Sequence, residues 1–349
     1  MPGFRYNVSR TDPMTSFAIG VDLGGTNLRI AAVDDNGTLL EKITLGTQVQ
    51  KGRDFVITEM CEAIQQVVTK YAGKGQLDGI GIGVPGIIDL ETGMLYESPN
   101  LPGWDHYPVR EEIESRLKTK VVLENDANAA AFGEKWLGAA RDYPSMCMMT
   151  LGTGVGGGIV LEGRIWHGMT GMAGEIGHIT VEPEGAKCNC GNRGCIEQYA
   201  SATAIVRMAR EAIESGHAPE LKRAAEGNNK EFNSRVVYQM AVQGDAAAQE
   251  IYRKVGRYLG IAMGDIINTL NLNMYVIGGG VVSAWEAFAP AMMEEIYRRS
   301  FLYRATAPER NLGKMKTTIV TRALLGTDAG LFGAARLPMM ERELEAHAH

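Results

Sequence analysis

The chain has 349 residues, of which 45% are hydrophobic and 22% charged, a balance that fits roughly two soluble globular domains and excludes a disordered chain. A formal net charge of −6 without any long basic run removes the positive footprint that nucleic acid or an anionic membrane requires. The start is polar and no run of about 18 apolar residues occurs, so the expectation is a cytoplasmic protein whose partners are small molecules, with no nucleic acid and no membrane.

Residues 1–16 lack periodicity and are expected to form a flexible extension, with Met14 an alternative start and the Asn7-Val8-Ser9 sequon incidental in the cytosol. From Phe17 the segment FAIGVDLGGTNLRIAAVDDNGTLL reads as an apolar strand, a glycine turn, a second strand and an Asp-Asn-Gly turn, which is a β-hairpin. Residues 53–72 carry apolar side chains at helical spacing, and LDGIGIGVPGIIDL returns to a glycine-rich strand ending at Pro85-Gly86. KVVLENDANAAAFGEKWLGAA is a buried strand running into an Ala-rich helix, and this alternation argues for an α/β architecture.

At SMCMMTLGTGVGGGIVLEGRIW the opening pattern returns, with Asp22-Leu23-Gly24-Gly25-Thr26 aligned to Thr150-Leu151-Gly152-Thr153-Gly154 at one constant offset. The repeat reads either as two domains of one ancestral design, each with a glycine turn facing a shared cleft, or as two unrelated hairpins. It puts a domain boundary near residue 138. Long helices are expected near 246–270 and 284–300, separated by MYVIGGGVVS, and a last apolar helix, AGLFGAARLPMM, precedes a charged tail over 341–349.

Glycine is the compositional outlier, with 43 residues against 12 prolines, clustered at strand ends. Only glycine lets a backbone approach a ligand closely, and in Gly24-Gly25-Thr26-Asn27 successive N–H groups with a threonine hydroxyl can converge on phosphate oxygens. Gly152-Thr153-Gly154 can do the same, and Gly278-Gly279-Gly280 ends a strand where a base or ribose would lie. Each alone reads equally as a plain turn; together they point to a nucleotide. Neither a Walker A sequence nor a strand-to-helix GxGxxG is present. Asp22, beside the first turn, is either a solvated strand-end carboxylate or an outer-shell partner of Mg²⁺.

Three of the five cysteines fall in Cys188-Asn-Cys190-Gly-Asn-Arg-Gly-Cys195, and in a reducing compartment they are thiols or metal ligands rather than disulfides. With His178 they form a Cys3His set suited to a closed, structural Zn²⁺ site, against the alternative of clustered free thiols. Glu175 and Glu197 flank that set and are placed to accept hydrogen bonds from a polyol, and His178 can put one ring nitrogen on the metal and the other toward the sugar. Asn125-Asp126-Ala127-Asn128 closes a buried strand and opens a helix. Its polar residues can be N-caps, or Asp126 can be the carboxylate that takes a proton from a phosphoryl acceptor. Asn100, in SPNLPGW, is an amide able to read sugar hydroxyls.

Taken in order, DLGGTN, VPG, Asn125-Asp126, LGTGVGGG, GEIGH and CNCGNRGCIE resemble the ROK family of repressors, open reading frames and kinases, over about Phe17 to Pro338. The resemblance implies an α/β, two-domain, actin-like and hexokinase-like (ribonuclease H-like) fold with an interdomain active-site cleft. The smaller lobe would span 17–137 plus 326–340, and the larger, with the zinc loop, 138–325. It also implies Asp126 as base; Asn100, Asn125, Glu175, His178 and Glu197 as sugar ligands, with Pro85-Gly86 lining the pocket; zinc on His178, Cys188, Cys190 and Cys195; ATP and Mg²⁺ as cofactors; and a homodimer or homotetramer. Within the family the chain looks most like the bacterial glucokinases, which implies glucose as acceptor. Another hexose or N-acetylhexosamine, polyphosphate as donor, and a sugar-responsive regulator are the alternatives.

Overall fold

The computed structural model describes residues 16–227 and 232–347, so the expected N-terminal extension, apart from Ser16, lies outside the described residues. The chain divides into two compact units: one holds the residues up to Pro144, Gly158–Ala173 and everything from Thr327, and the other holds Ser145–Gly157 and Gly174–Gly326.

The first unit opens with β1 (Ser16–Leu23), β2 (Asn27–Asp34) and β3 (Leu39–Gly46), an antiparallel meander with Val21 opposite Ile30 and Ile30 opposite Ile43. Helix α1 (Arg53–Tyr71) buries Val56, Ile57, Met60, Ile64 and Val67, the helical spacing seen in the sequence. β4 (Gln76–Val84) then pairs in parallel with β1. A small sheet of β5 (Ile87–Asp89), β6 (Met94–Glu97) and β7 (Tyr107–Pro108) leads to α2 (Val109–Leu117). β8 (Val121–Asn125) joins β4 in parallel, completes a sheet of order β3-β2-β1-β4-β8, and runs directly into α3 (Asp126–Trp136). Phe17, Ile19, Val21, Ile30, Ile57, Met60, Ile80, Ile82 and Leu123 form the core of this unit.

A second five-stranded sheet follows, from β9 (Met146–Leu151), β10 (Val155–Leu161) and β11 (Arg164–Ile165). The second unit continues through α4 (Glu197–Ala200), α5 (Ala202–Glu214), α6 (Pro219–Gly227), α7 (Ser234–Val242) and α8 (Ala246–Leu270). α8 is capped by Asp245, whose Oδ1 accepts from Ala248 N at 2.7 Å. Then come β12 (Met274–Gly278), α9 (Trp285–Arg299), α10 (Phe301–Thr306) and β13 (Ile319–Arg322), with β12 parallel to both β9 and β13. The order β11-β10-β9-β12-β13 repeats the order of the first sheet, as the sequence repeat leads one to expect of a duplicated design.

The last helix, α11 (Ala329–His347), belongs to the first unit. It lies at backbone contact on the sheet and on α3: a Cβ at Gly20 would overlap the Leu331 carbonyl oxygen, one at Gly81 that of Ala334, and one at Gly333 that of Ala129. Where the sequence suggests a charged tail, the helix continues to His347. Its charged residues are good helix formers and find partners, with Arg336 forked onto Glu343 at 2.7 Å, Lys120 on Glu341 at 2.9 Å, and Arg342 on Asp78. Among the described residues no helix is long and apolar enough to cross a membrane.

Candidate functional site

In the first unit the chemistry gathers at the carboxyl ends of β1, β4 and β8. Asn125 is the N-cap of α3: its Oδ1 accepts from Ala127 N at 2.9 Å and Asn128 N at 3.2 Å, while its Nδ2 points at the Gly86 carbonyl 3.4 Å away. The cap reading of this segment therefore holds for Asn125. It leaves Asp126, the first helical residue, half-buried with Oδ1 accepting from Ala127 N at 2.9 Å. Pro85-Gly86 is beside this corner, and Gly86 has φ +122, where a Cβ would overlap the Glu97 carbonyl oxygen.

The first glycine turn lies in the same unit. Asp22 sits at the end of β1, paired with Arg29 at 2.7 Å and packed on Gly330 of α11. Burial pushes the Asp22 carboxyl above its usual range, against the pull of Arg29. Gly25 presses on the Asn100 backbone, where a Cβ would stand 2.8 Å from the carbonyl oxygen, so the turn and the SPNLPGW loop touch. Thr26 and Asn27 are exposed.

Gly24 N already donates to Asn27 O at 2.9 Å, and in the second turn Gly152 N donates to Gly154 O at 2.9 Å. Both N–H groups thus have partners within their own hairpin turns.

In the second unit, Gly152-Thr153-Gly154 is tied to the start of α5: Ala202 N donates to Gly152 O at 2.8 Å, and Thr203 Oγ1 to Thr153 O at 2.8 Å. The Glu197 carboxylate lies against Gly154 and accepts from Val155 N at 3.1 Å. Gly279, at φ +86, leaves no room for a Cβ against the Leu151 backbone, which brings Gly278-Gly279-Gly280 next to the same turn.

His178, Cys188, Cys190 and Cys195 place one ligand atom each within 4.8 Å of one another. Two sulfurs on a tetrahedral zinc at about 2.3 Å must lie about 3.8 Å apart. Cys190 Sγ and Cys195 Sγ are 3.7 Å apart, and Cys188 Sγ is 3.6 Å from His178 Nδ1, so the four residues fit such an ion. With Nδ1 turned to the sulfurs, His178 Nε2 faces away, 3.9 Å from the exposed Glu175 carboxylate.

Each candidate from the sequence thus falls into one of two groups. Asp22, Gly24, Gly25, Thr26, Asn27, Pro85, Gly86, Asn100, Asn125 and Asp126 belong to the first unit. Gly152, Thr153, Gly154, Glu175, His178, Cys188, Cys190, Cys195, Glu197 and Gly278 to Gly280 belong to the second. Sequence reasoning passed over Glu124 and His167. Glu124 is 2% exposed, and its Oε2 lies 2.7 Å from His167 Nε2. A carboxylate inside the otherwise apolar strand VVLEN was the available signal, because a buried charge needs partners.

A model of the ROK family matches residues 18–340. The chain is 38% identical to a glucokinase of Halalkalibacterium halodurans over 91% of its length and 94% of that protein's. It is also 38% identical to a glucokinase of Thermotoga maritima, over 91% and 96%. Among solved structures, a ROK family glucokinase from Streptomyces griseus in complex with glucose and AMPPNP is 31% identical, superposes with a TM-score of 0.76, and is matched over 93% of this chain and 99% of its own.

Proposed function

The chain belongs to the ROK family, and on that premise we propose that it is an ATP-dependent hexokinase that transfers the γ-phosphoryl group of ATP to the 6-hydroxyl of glucose. The observation that carries this reading is the contact between Gly25 and Asn100, which sets the first glycine turn directly against the loop assigned to the sugar. Phosphoryl transfer is largely a matter of positioning, so a donor turn and an acceptor loop in contact are what it needs. Glucose is favoured over other hexoses and over N-acetylhexosamines by the glucokinases among the relatives.

In this reading the sugar ligands are Asn100, Asn125 and the Gly86 turn, together with Glu175, His178 and Glu197. Asp126 accepts the proton of the 6-hydroxyl as that oxygen bonds to the γ-phosphorus and the bond to the β,γ-bridging oxygen breaks, releasing ADP; the proton then passes to water. Mg²⁺, when bound, would neutralise phosphate charge, and Asp22 is the residue that would hold it through water. Zinc, when bound to His178, Cys188, Cys190 and Cys195, supplies rigidity. With Nδ1 on that ion, His178 would keep Nε2–H as the ring donor available to the sugar.

A coupled assay over glucose, mannose, fructose, allose, N-acetylglucosamine and N-acetylmannosamine, with ATP and polyphosphate as donors, tests the proposal. The expected result is highest kcat/KM for glucose with ATP. A higher value for an N-acetylhexosamine would reassign the acceptor, and turnover of no sugar would sink the kinase reading.

A further inference from the structure

Glu124 is the penultimate residue of β8, in a strand whose preceding residues are Val121, Val122 and Leu123. Burying a carboxylate there is unfavourable against an apolar residue of similar size, so its presence calls for a reason. Capping is not that reason, because Asn125 already caps α3. What Glu124 does is bracket the residue in between. Its Oε1 accepts from the backbone N–H of Asn125 at 2.9 Å, one residue before Asp126, and from Nδ2 of Asn128 at 3.0 Å, two residues after it. Its Oε2 faces His167 Nε2 at 2.7 Å, which donates in either the neutral Nε2–H tautomer or the imidazolium.

His167 is itself held. Trp166 N donates to Ile159 O at 2.8 Å, and Ala173 N donates to the His167 carbonyl at 3.1 Å, closing a loop whose Gly171 packs at the Ile88 carbonyl. The imidazole is thus delivered to Glu124 from a loop whose backbone is tied at Ile159 and packed at Ile88.

We propose that Glu124 and His167 form a positioning pair that sets the orientation of the Asn125-Asp126 corner, and with it the direction in which the Asp126 carboxylate meets the acceptor hydroxyl. The inference rests on the kinase reading of Asp126. The pair touches neither substrate; it acts through the backbone N–H of Asn125 and the side chain of Asn128. Misplacing a base by about 1 Å can cost about 10²-fold, whereas sugar binding is shared among many contacts. Damage to the pair therefore falls on kcat.

The test is steady-state kinetics, with glucose binding by calorimetry and thermal unfolding, on Glu124→Gln, His167→Gln and the double variant. The amide introduced by Glu124→Gln keeps a carbonyl oxygen for Asn125 and Asn128 while removing the charge that His167 completes. The expected result is a kcat about 10- to 100-fold lower in each single variant, with the glucose KM and Kd within about threefold of wild type. The double variant should be no slower than the slower single, because one substitution already breaks the pair. Unchanged kcat in His167→Gln, or additive losses in the double variant, would overturn the pairing, and a fall in Tm at unchanged kcat would reduce it to a structural contact. If Glu124→Gln does not fold, His167→Gln alone decides by the same split. Wild-type protein that phosphorylates no sugar of the panel would mark the failure of the kinase reading itself, and the inference would fall with it.

Discussion

The two glycine turns occupy the same place in sheets of the same strand order, yet each acquires its carboxylate differently. In the first unit the acid is local: Asp22 ends β1 itself, and Arg29 across the hairpin holds it at 2.7 Å. In the second the corresponding residue is Thr150, and the acid comes from elsewhere, Glu197 at the head of α4, whose carboxylate accepts from Val155 N. A carboxylate built into a strand needs only the strand. One brought in on a short helix needs whatever fixes that helix, and here Glu197 follows Cys195 of the metal-fitting loop by two residues. The first unit's chemistry is thereby written into its sheet, while the second unit's depends on a cysteine loop.

The comparison can be broken most forcefully at Asp126, the proposed base of the first unit. Asp126→Ala should lower kcat by about 10²- to 10⁴-fold while calorimetry still detects glucose, and loss of glucose binding instead would recast Asp126 as a sugar ligand only. Next in size is the dependence of Glu197 on its loop. Protein as purified should contain about one zinc per chain by elemental analysis, and Cys195→Ser or chelation should raise the glucose KM about tenfold or more and lower the Tm. Metal-free protein with full activity would make the two units equal in this respect.

A smaller effect separates the turns themselves. Gly25→Ala meets backbone, the Asn100 carbonyl oxygen at 2.8 Å, and should cost about 1–3 kcal/mol of stability in denaturant unfolding. Gly154→Ala meets only the tip of the Glu197 side chain, so it should leave the unfolding midpoint nearly unchanged and raise the sugar KM. The smallest effect is in pH. The Glu124 hydrogen bond raises the His167 pKa above the ordinary 6.5, against the opposing influence of burial. The stability this supplies is complete below about pH 6.5 and is lost as pH rises through the folded-state pKa. The Tm gap between wild type and His167→Gln should accordingly be widest near pH 6, at about 2 °C, and narrow toward pH 9 in thermal scans.

Much of this was legible in the sequence because its signals are local. Gly-Gly-Thr-Asn between two apolar runs can hardly be other than a hairpin turn, and its recurrence at Gly152 carried the repeated sheet order. The cysteine spacing brought Cys188, Cys190 and Cys195 together without help from the fold, and His178 joined them from ten residues before Cys188. The Glu124–His167 pair was not legible, because its partners are 43 residues apart in separate segments and neither sits in a motif. Nor was the passage of β10 from one unit to the other, since VGGGIVL is an unbroken strand pattern with nothing to mark Gly157 from Gly158. The continuation of α11 past Met340 was hidden for a similar reason. Its charged residues read as tail until Lys120 and Asp78, far away in sequence, appear as their partners.

The glycine-lined seat of α11 also sets an order of events during synthesis. Gly20 and Gly81 leave the sheet bare at two places where the α11 backbone at Leu331 and Ala334 packs, and those residues leave the ribosome after the whole of Gly174–Gly326. At about 5–20 residues per second, that intervening stretch takes roughly eight to thirty seconds to make. The unit that begins first is therefore the one that is completed last.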